Sequence, residues 1–199
     1  MPDQPAPDAN EKEDGPAVTH PKQASTERLA EEIRGWLKSL FFALVLVLIF
    51  RAHVAEGYQI KGASMEPTLK HSDRLFVEKL THHFRQYRFG DIVVFPHPVE
   101  SKKLIKRVVA TAGQQVEIRQ GVVYVDGEFV EEIFIDENNR DQRDYSEDIV
   151  PEGMLFVLGD NRKSSNDSRS RILGFIDEEA VVGRAFFRFW PLGRFRVFP

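Results

Sequence analysis

Gly90-Asp91-Ile92-Val93-Val94-Phe95-Pro96 and, further along, Leu104-Ile105-Lys106-Arg107-Val108-Val109 decide how this chain folds. The first is a continuous apolar run closed by a proline, which reads as a buried strand. In the second, strand alternation places Lys106 on one face with Leu104 and Val108, and Arg107 on the other with Ile105 and Val109. One of the two cations is therefore expected among apolar neighbours. Upstream, Tyr58-Gln59-Ile60 and Arg74-Leu75-Phe76-Val77-Glu78 read as strands, the second after a His71-Ser72-Asp73 turn. Downstream, Val116–Ile118 and Val122–Val125 flank Gly121, and Asp126-Gly127 before Glu128-Phe129-Val130 signals a type I′ hairpin. Asn138–Glu147 is polar and reads as a loop, Met154–Leu158 as another buried strand, and Ala180–Val197 as the last strands, interrupted at Trp190-Pro191-Leu192-Gly193. Many short strands with little helix predict a mostly β domain over residues 57–199, built of closed or sandwiched sheets.

The chain has 199 residues, 42% hydrophobic and 29% charged, which suits one globular domain with appendages. It has no cysteine, which excludes disulfides, thiolate metal sites and a catalytic thiol. Residues 1–35 carry 8 acidic and 4 basic side chains, leaving 23 of each beyond, so the folded part presents no basic footprint for nucleic acid. Residues 1–26, rich in Pro, Asp, Glu, Gln and Ala, are expected to be a disordered acidic tail. Residues 27–56 are expected to form a helix capped by Ser25 or Thr26. Its run Leu40–Phe50 holds 11 uncharged apolar residues, about 16 Å of helix and half a bilayer core. That length alone fits a buried core helix or the apolar region of a signal peptide. Extension from Ile33 to Val54 gives about 33 Å, with Arg34, Lys38 and Arg51 placed to snorkel and Trp36 at an interfacial position. The long acidic leader and the lack of a good Ala-x-Ala pair after Phe50 favour an uncleaved, single-pass transmembrane anchor. Basic residues flank this segment on both sides, so charge does not set its orientation.

Three stretches carry candidate chemistry. In Gly62-Ala63-Ser64-Met65-Glu66-Pro67-Thr68-Leu69, the proline fixes φ and withholds an amide donor, so Met65–Thr68 should form a rigid turn presenting Ser64. Taken alone, a Ser-x-x-Pro stretch is more often an ordinary turn. Lys106, if buried, loses stability as an ammonium ion and becomes a general base for a hydroxyl; a solvated lysine at a strand edge is the bland alternative. Gly159-Asp160-Asn161-Arg162-Lys163-Ser164-Ser165-Asn166-Asp167-Ser168-Arg169 concentrates hydrogen-bonding groups directly after a buried strand, where either a functional or a plain solvated loop can sit.

Together, in order, these stretches, the apolar helix and Gly183-Arg184-Ala185 resemble type I signal peptidase, the membrane-anchored bacterial serine protease. The resemblance implies Ser64 as nucleophile, Lys106 as general base and Ser165 as the hydroxyl that orients the lysine amine. It implies an oxyanion hole using the Ser64 N–H, with Gly62, Met65 and Pro67 supporting the turn. Arg107, Asp160, Asn161, Arg162, Asp167 and Arg169 become the framework. It further implies signal peptides of secretory preproteins as substrates, cut after small-x-small sites. No metal or cofactor is needed. The implied setting is the bilayer of the bacterial inner membrane, near the export translocon, with the tail cytoplasmic and the catalytic domain outside. The chain departs from the family pattern at Gly62, where some members carry an oxyanion-donating serine, and at Ala112-Gly113-Gln114, which lacks the usual Pro and Asp. Residues 114–151 are short for the family's variable second domain and should be a hairpin and loop. A Ser-His-Asp hydrolase would need an oriented His71 and a Gly-x-Ser-x-Gly elbow, which is absent; His82, His83 and His97 lack zinc-protease spacing, and all are expected at the surface. The competing class is a catalytically silent, membrane-tethered β-domain of the same family.

Overall fold

The computed structural model describes residues 21–53, 55–79 and 85–198. The acidic leader 1–20 and His82-His83 lie outside these residues. The chain divides after Leu46 into two compact units.

The first element is a helix, α1 (Pro21–His53). It starts before Ser25 and Thr26, which therefore lie inside it rather than capping it, and part of the expected tail, 21–26, is helical. Among the described residues no helix is long and apolar enough to cross a membrane. α1 has 33 residues; Arg28, Glu31, Glu32, Arg34 and Lys38 lie in its first half and the uncharged run from Leu40 onward in its second. The side chains from Leu37 to Phe42 are largely exposed.

The rest is β. Strands β1 (Ala55–Gln59), β2 (Arg74–Glu78), β3 (Ile92–Pro96), β4 (Lys103–Thr111), β9 (Met154–Leu158), β10 (Ile176–Asp177), β11 (Gly183–Trp190) and β12 (Arg196–Val197) form one antiparallel sheet. Its order is β1-β2-β11-β3-β4-β9-β10, with β12 paired to β11. A second sheet has the order β7-β6-β5-β8, from β5 (Gln115–Arg119), β6 (Val122–Val125), β7 (Glu128–Phe129) and β8 (Tyr145–Ile149). The predicted type I′ hairpin is present, with Asp126 and Gly127 at φ 54° and 79°. Gln120-Gly121 turns β5 into β6 in the same way, at φ 49° and 78°. β8 lies inside and just beyond the segment read as a loop. It is a mostly exposed edge strand, so it carries no apolar alternation by which to recognise it.

Three apolar clusters hold this arrangement. Met65 and Leu69 of the serine turn are sealed with Leu75, Val77, Ile92, Val94 and Ala185. Leu104 and Val108 of β4 pack with Val93, Phe95, Leu155 and Val157. Val109 and Ala110 meet Val116, Ile118, Val123 and Phe156, which joins the small sheet to the large one. Each fully buried aliphatic side chain contributes about 1.5–3 kcal/mol, so Met65 and Leu69 anchor the turn from both ends. β4 is central, flanked by β3 and β9, with Val93 opposite Lys106 and Leu158 opposite Arg107. Both cations are buried, not one.

Candidate active site

The octet folds into the expected turn. Glu66 N–H donates to Ala63 O (3.1 Å) and Leu69 N–H to Met65 O (2.8 Å), with the Glu66–Pro67 peptide cis. Met65 and Leu69 occupy the core, leaving Ser64 half-buried above it. The Ser64 carbonyl accepts the Asn161 N–H at 3.0 Å, which ties the turn to the loop after β9. Among the described residues the Ser64 N–H donates to no backbone carbonyl.

Lys106 reaches Ser64 across 42 positions of sequence: its Nζ donates to Ser64 Oγ at 2.8 Å. Lys106 is 2% exposed. Burial pushes its pKa down from 10.5 to about 8, against the pull of Asp167 and Asp160, with Lys102 and Arg169 adding to the fall. At pH 7.5 about a quarter of such a lysine is the free base, against roughly 0.1% of a solvated one.

The loop after β9 is a frame of arginine–carboxylate pairs. Arg107 grips Asp160 with Nε at 2.9 Å and Nη2 at 2.7 Å, donates to Gly90 O, and stacks over Phe134 at 3.8 Å. Arg169 grips Asp167 with Nε at 2.7 Å and Nη2 at 2.9 Å. Burial opposes the charge on Asp167, but Arg169 and the Gly159 N–H outweigh it and hold its pKa low. Arg162, fully buried, pairs with Glu132 and donates to Gly159 O. Asn161 caps the next turn through the Ser164 N–H.

Gly62 sits at φ 101°, a conformation that favours glycine, and its N–H donates to His71 Nδ1 at 3.3 Å. His71 is thus exposed and engaged by backbone. His97, in contrast, is buried rather than at the surface: its Nδ1 accepts the N–H groups of Val99 and Glu100, so the ring closes a turn.

Ser165 departs from expectation. No hydrogen bond of ordinary geometry reaches its Oγ among the described residues, so the expected link to Lys106 is not made. The hydroxyl is near enough to Asp167 to favour its ionised form, and it packs over Gly159. Sequence reading missed Glu132, Asn139 and Asp141, which reach the frame from the segment between β7 and β8. Asn139 Nδ2 donates to Glu66 O at 3.3 Å, and Asp141 accepts from Arg169 Nη1 at 2.9 Å. Only their density in a polar stretch was visible beforehand.

The family model for signal peptidase, peptidase S26, matches residues 33–190. The chain belongs to the signal peptidase family. A probable signal peptidase I-1 of Synechocystis sp. is 44% identical over 164 residues, covering 78% of this chain and 81% of the relative. Signal peptidase I of Bacillus licheniformis is 36% identical over 169 residues, 81% of this chain and 90% of that one. A signal peptidase I crystal structure from Enterococcus faecalis is similar over 50% of this chain and 97% of its own, at 31% identity and TM-score 0.44.

Proposed function

We propose that this chain is a Ser/Lys serine endopeptidase that removes N-terminal signal peptides from exported preproteins, with Ser64 as nucleophile and Lys106 as general base. The observation that carries the reading is the 2.8 Å contact between a fully buried lysine and the serine of a core-anchored turn. Neutral Lys106 takes the proton of Ser64 Oγ as that oxygen bonds to the carbonyl carbon of the residue before the cut. The oxyanion is met by the Ser64 N–H, and the lysine then protonates the departing amine. Water, deprotonated by the same lysine, releases the acyl group and restores the serine. Asp167 and Asp160 face Lys106, each paired with an arginine, which offsets part of their pull on the ammonium form. The dyad's intact geometry disfavours a silent, scaffold-only domain. Small residues at −1 and −3 of the substrate, and proximity to the export translocon, belong to this reading.

The bilayer enters the same proposal. α1 would hold the enzyme at the bacterial inner membrane, its apolar run Leu40–Phe50 embedded and the domain outside. This places enzyme and signal peptide in one phase and raises their effective concentration. Phe186, Trp190, Leu192, Phe195 and Val197 expose apolar surface at one end of the large sheet, suited to resting on lipid.

The test is cleavage of a detergent-solubilised preprotein by the full chain, Ser64→Ala and Lys106→Ala, with the new N-terminus sequenced. Cutting after a small-x-small site by the parent alone is the expected result. Activity surviving in Lys106→Ala would reject this base, and an inactive parent would leave the scaffold reading.

A further inference from the structure

The segment from Glu131 to Asp144, between β7 and β8, was expected to be a variable connection, yet it touches each part of the catalytic frame. Phe134 covers the Arg107 guanidinium, Glu132 pairs with Arg162, Asn139 donates to Glu66 O in the serine turn, and Asp141 receives Arg169. Its backbone is seated as firmly as its side chains. A Cβ on Gly121 would collide with the Asp141 carbonyl, and the Gln120 N–H donates to Asp144 Oδ1 at 2.6 Å, so the β5–β6 turn fixes where Asp141 stands.

Asp141 and Asp167 hold the same guanidinium from opposite sides. Arg169 Nη1 donates to both Asp141 oxygens at 3.1 and 2.9 Å, while Nε and Nη2 donate to Asp167 at 2.7 and 2.9 Å. The three side chains are 11%, 6% and 1% exposed for Asp141, Arg169 and Asp167. An Asp–Arg pair is neutral; the Asp–Arg–Asp triad carries one net negative charge with little water to screen it. We propose that Asp141 is a positioning residue for the general base: by bracing Arg169 from outside the loop it holds Asp167 in place and leaves a net negative field beside Lys106. This rests on the reading of Ser64 and Lys106 as the dyad.

The other charges around Lys106 do not duplicate this field. Asp160 is neutralised by Arg107, and Lys102 pairs with Glu100. Arg143 also touches Asp141, at 2.5 Å, but its side chain is 55% exposed and screened by water. Within the Glu131–Asp144 segment, Glu132 is shared by Arg140 and by Arg162 of the loop after β9. Asp141 therefore strengthens the base at some cost in the fraction deprotonated, a compromise that Brønsted behaviour favours when the base works near its own pKa.

The experiment is the pH dependence of kcat/KM for the full chain in detergent, using an internally quenched peptide spanning a small-x-small site. Parent, Asp141→Asn, Asp141→Glu, Arg143→Gln and Ser64→Ala are compared, with thermal unfolding measured alongside. Asp141→Asn removes a negative charge, so the acid limb is expected to move down by about 0.3–0.5 unit, two- to threefold more free base well below the midpoint, while the plateau falls. Asp141→Glu should return the limb towards that of the parent. Arg143→Gln, at an exposed position that does not threaten folding, should move it slightly upward. A merely structural Asp141 would lower the melting temperature and leave the limb where it was, which overturns the proposal, as does an upward shift in Asp141→Asn. Should Asp141→Asn not fold, Asp141→Ser, which removes the same charge with a smaller side chain, is read in its place, and an unmoved limb there overturns the proposal. Activity in Ser64→Ala would refute the dyad itself, an outcome separate from either.

Discussion

Gly159→Ala adds a single methyl group and tests how closely the serine turn and the loop after β9 approach. Gly159 has no positive φ, so alanine is allowed by the backbone, and the obstacle is space. The new Cβ would stand 2.5 Å from Ser64 O and 2.6 Å from Ser165 Cβ, and would also collide with Ser165 Oγ; ordinary contact begins at 3.4 Å. Rotating Ser165 relieves only the hydroxyl. The Ser64 carbonyl must therefore retreat by nearly an ångström, and it cannot do so freely because it accepts the Asn161 N–H at 3.0 Å and its turn is pinned by Met65. Overpacking of this kind costs about 1–3 kcal/mol of stability, and a 1 Å misplacement of a reacting group costs on the order of 100-fold in rate. Gly57→Ala is the control, since nothing lies within 4 Å of its Cβ and its effect should be neutral or stabilising by about 0.4–1 kcal/mol. Thermal unfolding and kcat/KM on one peptide substrate check both numbers. A Gly159→Ala enzyme that melts with the parent and keeps kcat/KM within about threefold would refute the reasoning. The double variant Gly159→Ala/Ser165→Gly should not restore the rate, because the clash with Ser64 remains.

Lys106→Met should abolish cleavage yet stabilise the fold. With a folded pKa of about 8 against 10.5 when solvated, the unfolded chain binds more protons between those values, so stability rises with pH through that window. The full penalty, an upper bound of about 3 kcal/mol, applies below pH 8. Melting curves of parent and variant should thus differ most near neutrality and converge above pH 10.5. A variant less stable than the parent at pH 7 would contradict this. Asp160→Asn leaves the Arg107 guanidinium buried without its carboxylate, and urea unfolding should show a loss of about 3–5 kcal/mol; a loss under 1 kcal/mol would mean that Gly90 O, Phe134 and Thr68 Oγ1, which accepts from Arg107 Nη2 at 3.4 Å, suffice to hold it.

Most strands were legible because their side chains obey a period of two or form a continuous apolar run. Arg74–Glu78, Val122–Val125 and Met154–Leu158 stand where they were read. β8 was missed because an exposed edge strand needs no apolar face, and the start of α1 because Ser25 and Thr26 are tolerated inside a helix as well as at its cap. Ser64 and Lys106 were legible as residues: one stands in a proline-stiffened turn, the other among apolar neighbours in a strand. Ser165 was assigned a bond to Lys106 that the fold does not make, since its rotamer answers to Gly159 and Asp167, which no local pattern announces. Glu132 and Asp141 were invisible for the same reason. A carboxylate in a polar stretch looks alike whether it faces water or a guanidinium 28 or 30 residues away.

Alternation and turn chemistry, both local properties of the backbone, were enough for the sequence to determine a mostly β domain behind an apolar helix, a serine in a rigid turn and a lysine in a central strand. The tertiary structure alone decided that the lysine is dry, that it meets the serine across 42 positions, and that three arginines are matched to carboxylates around it. The physical reason is that a pKa is set by excluded water and by the charges within a few ångströms, and both are supplied by parts of the chain that are neighbours only once it has folded.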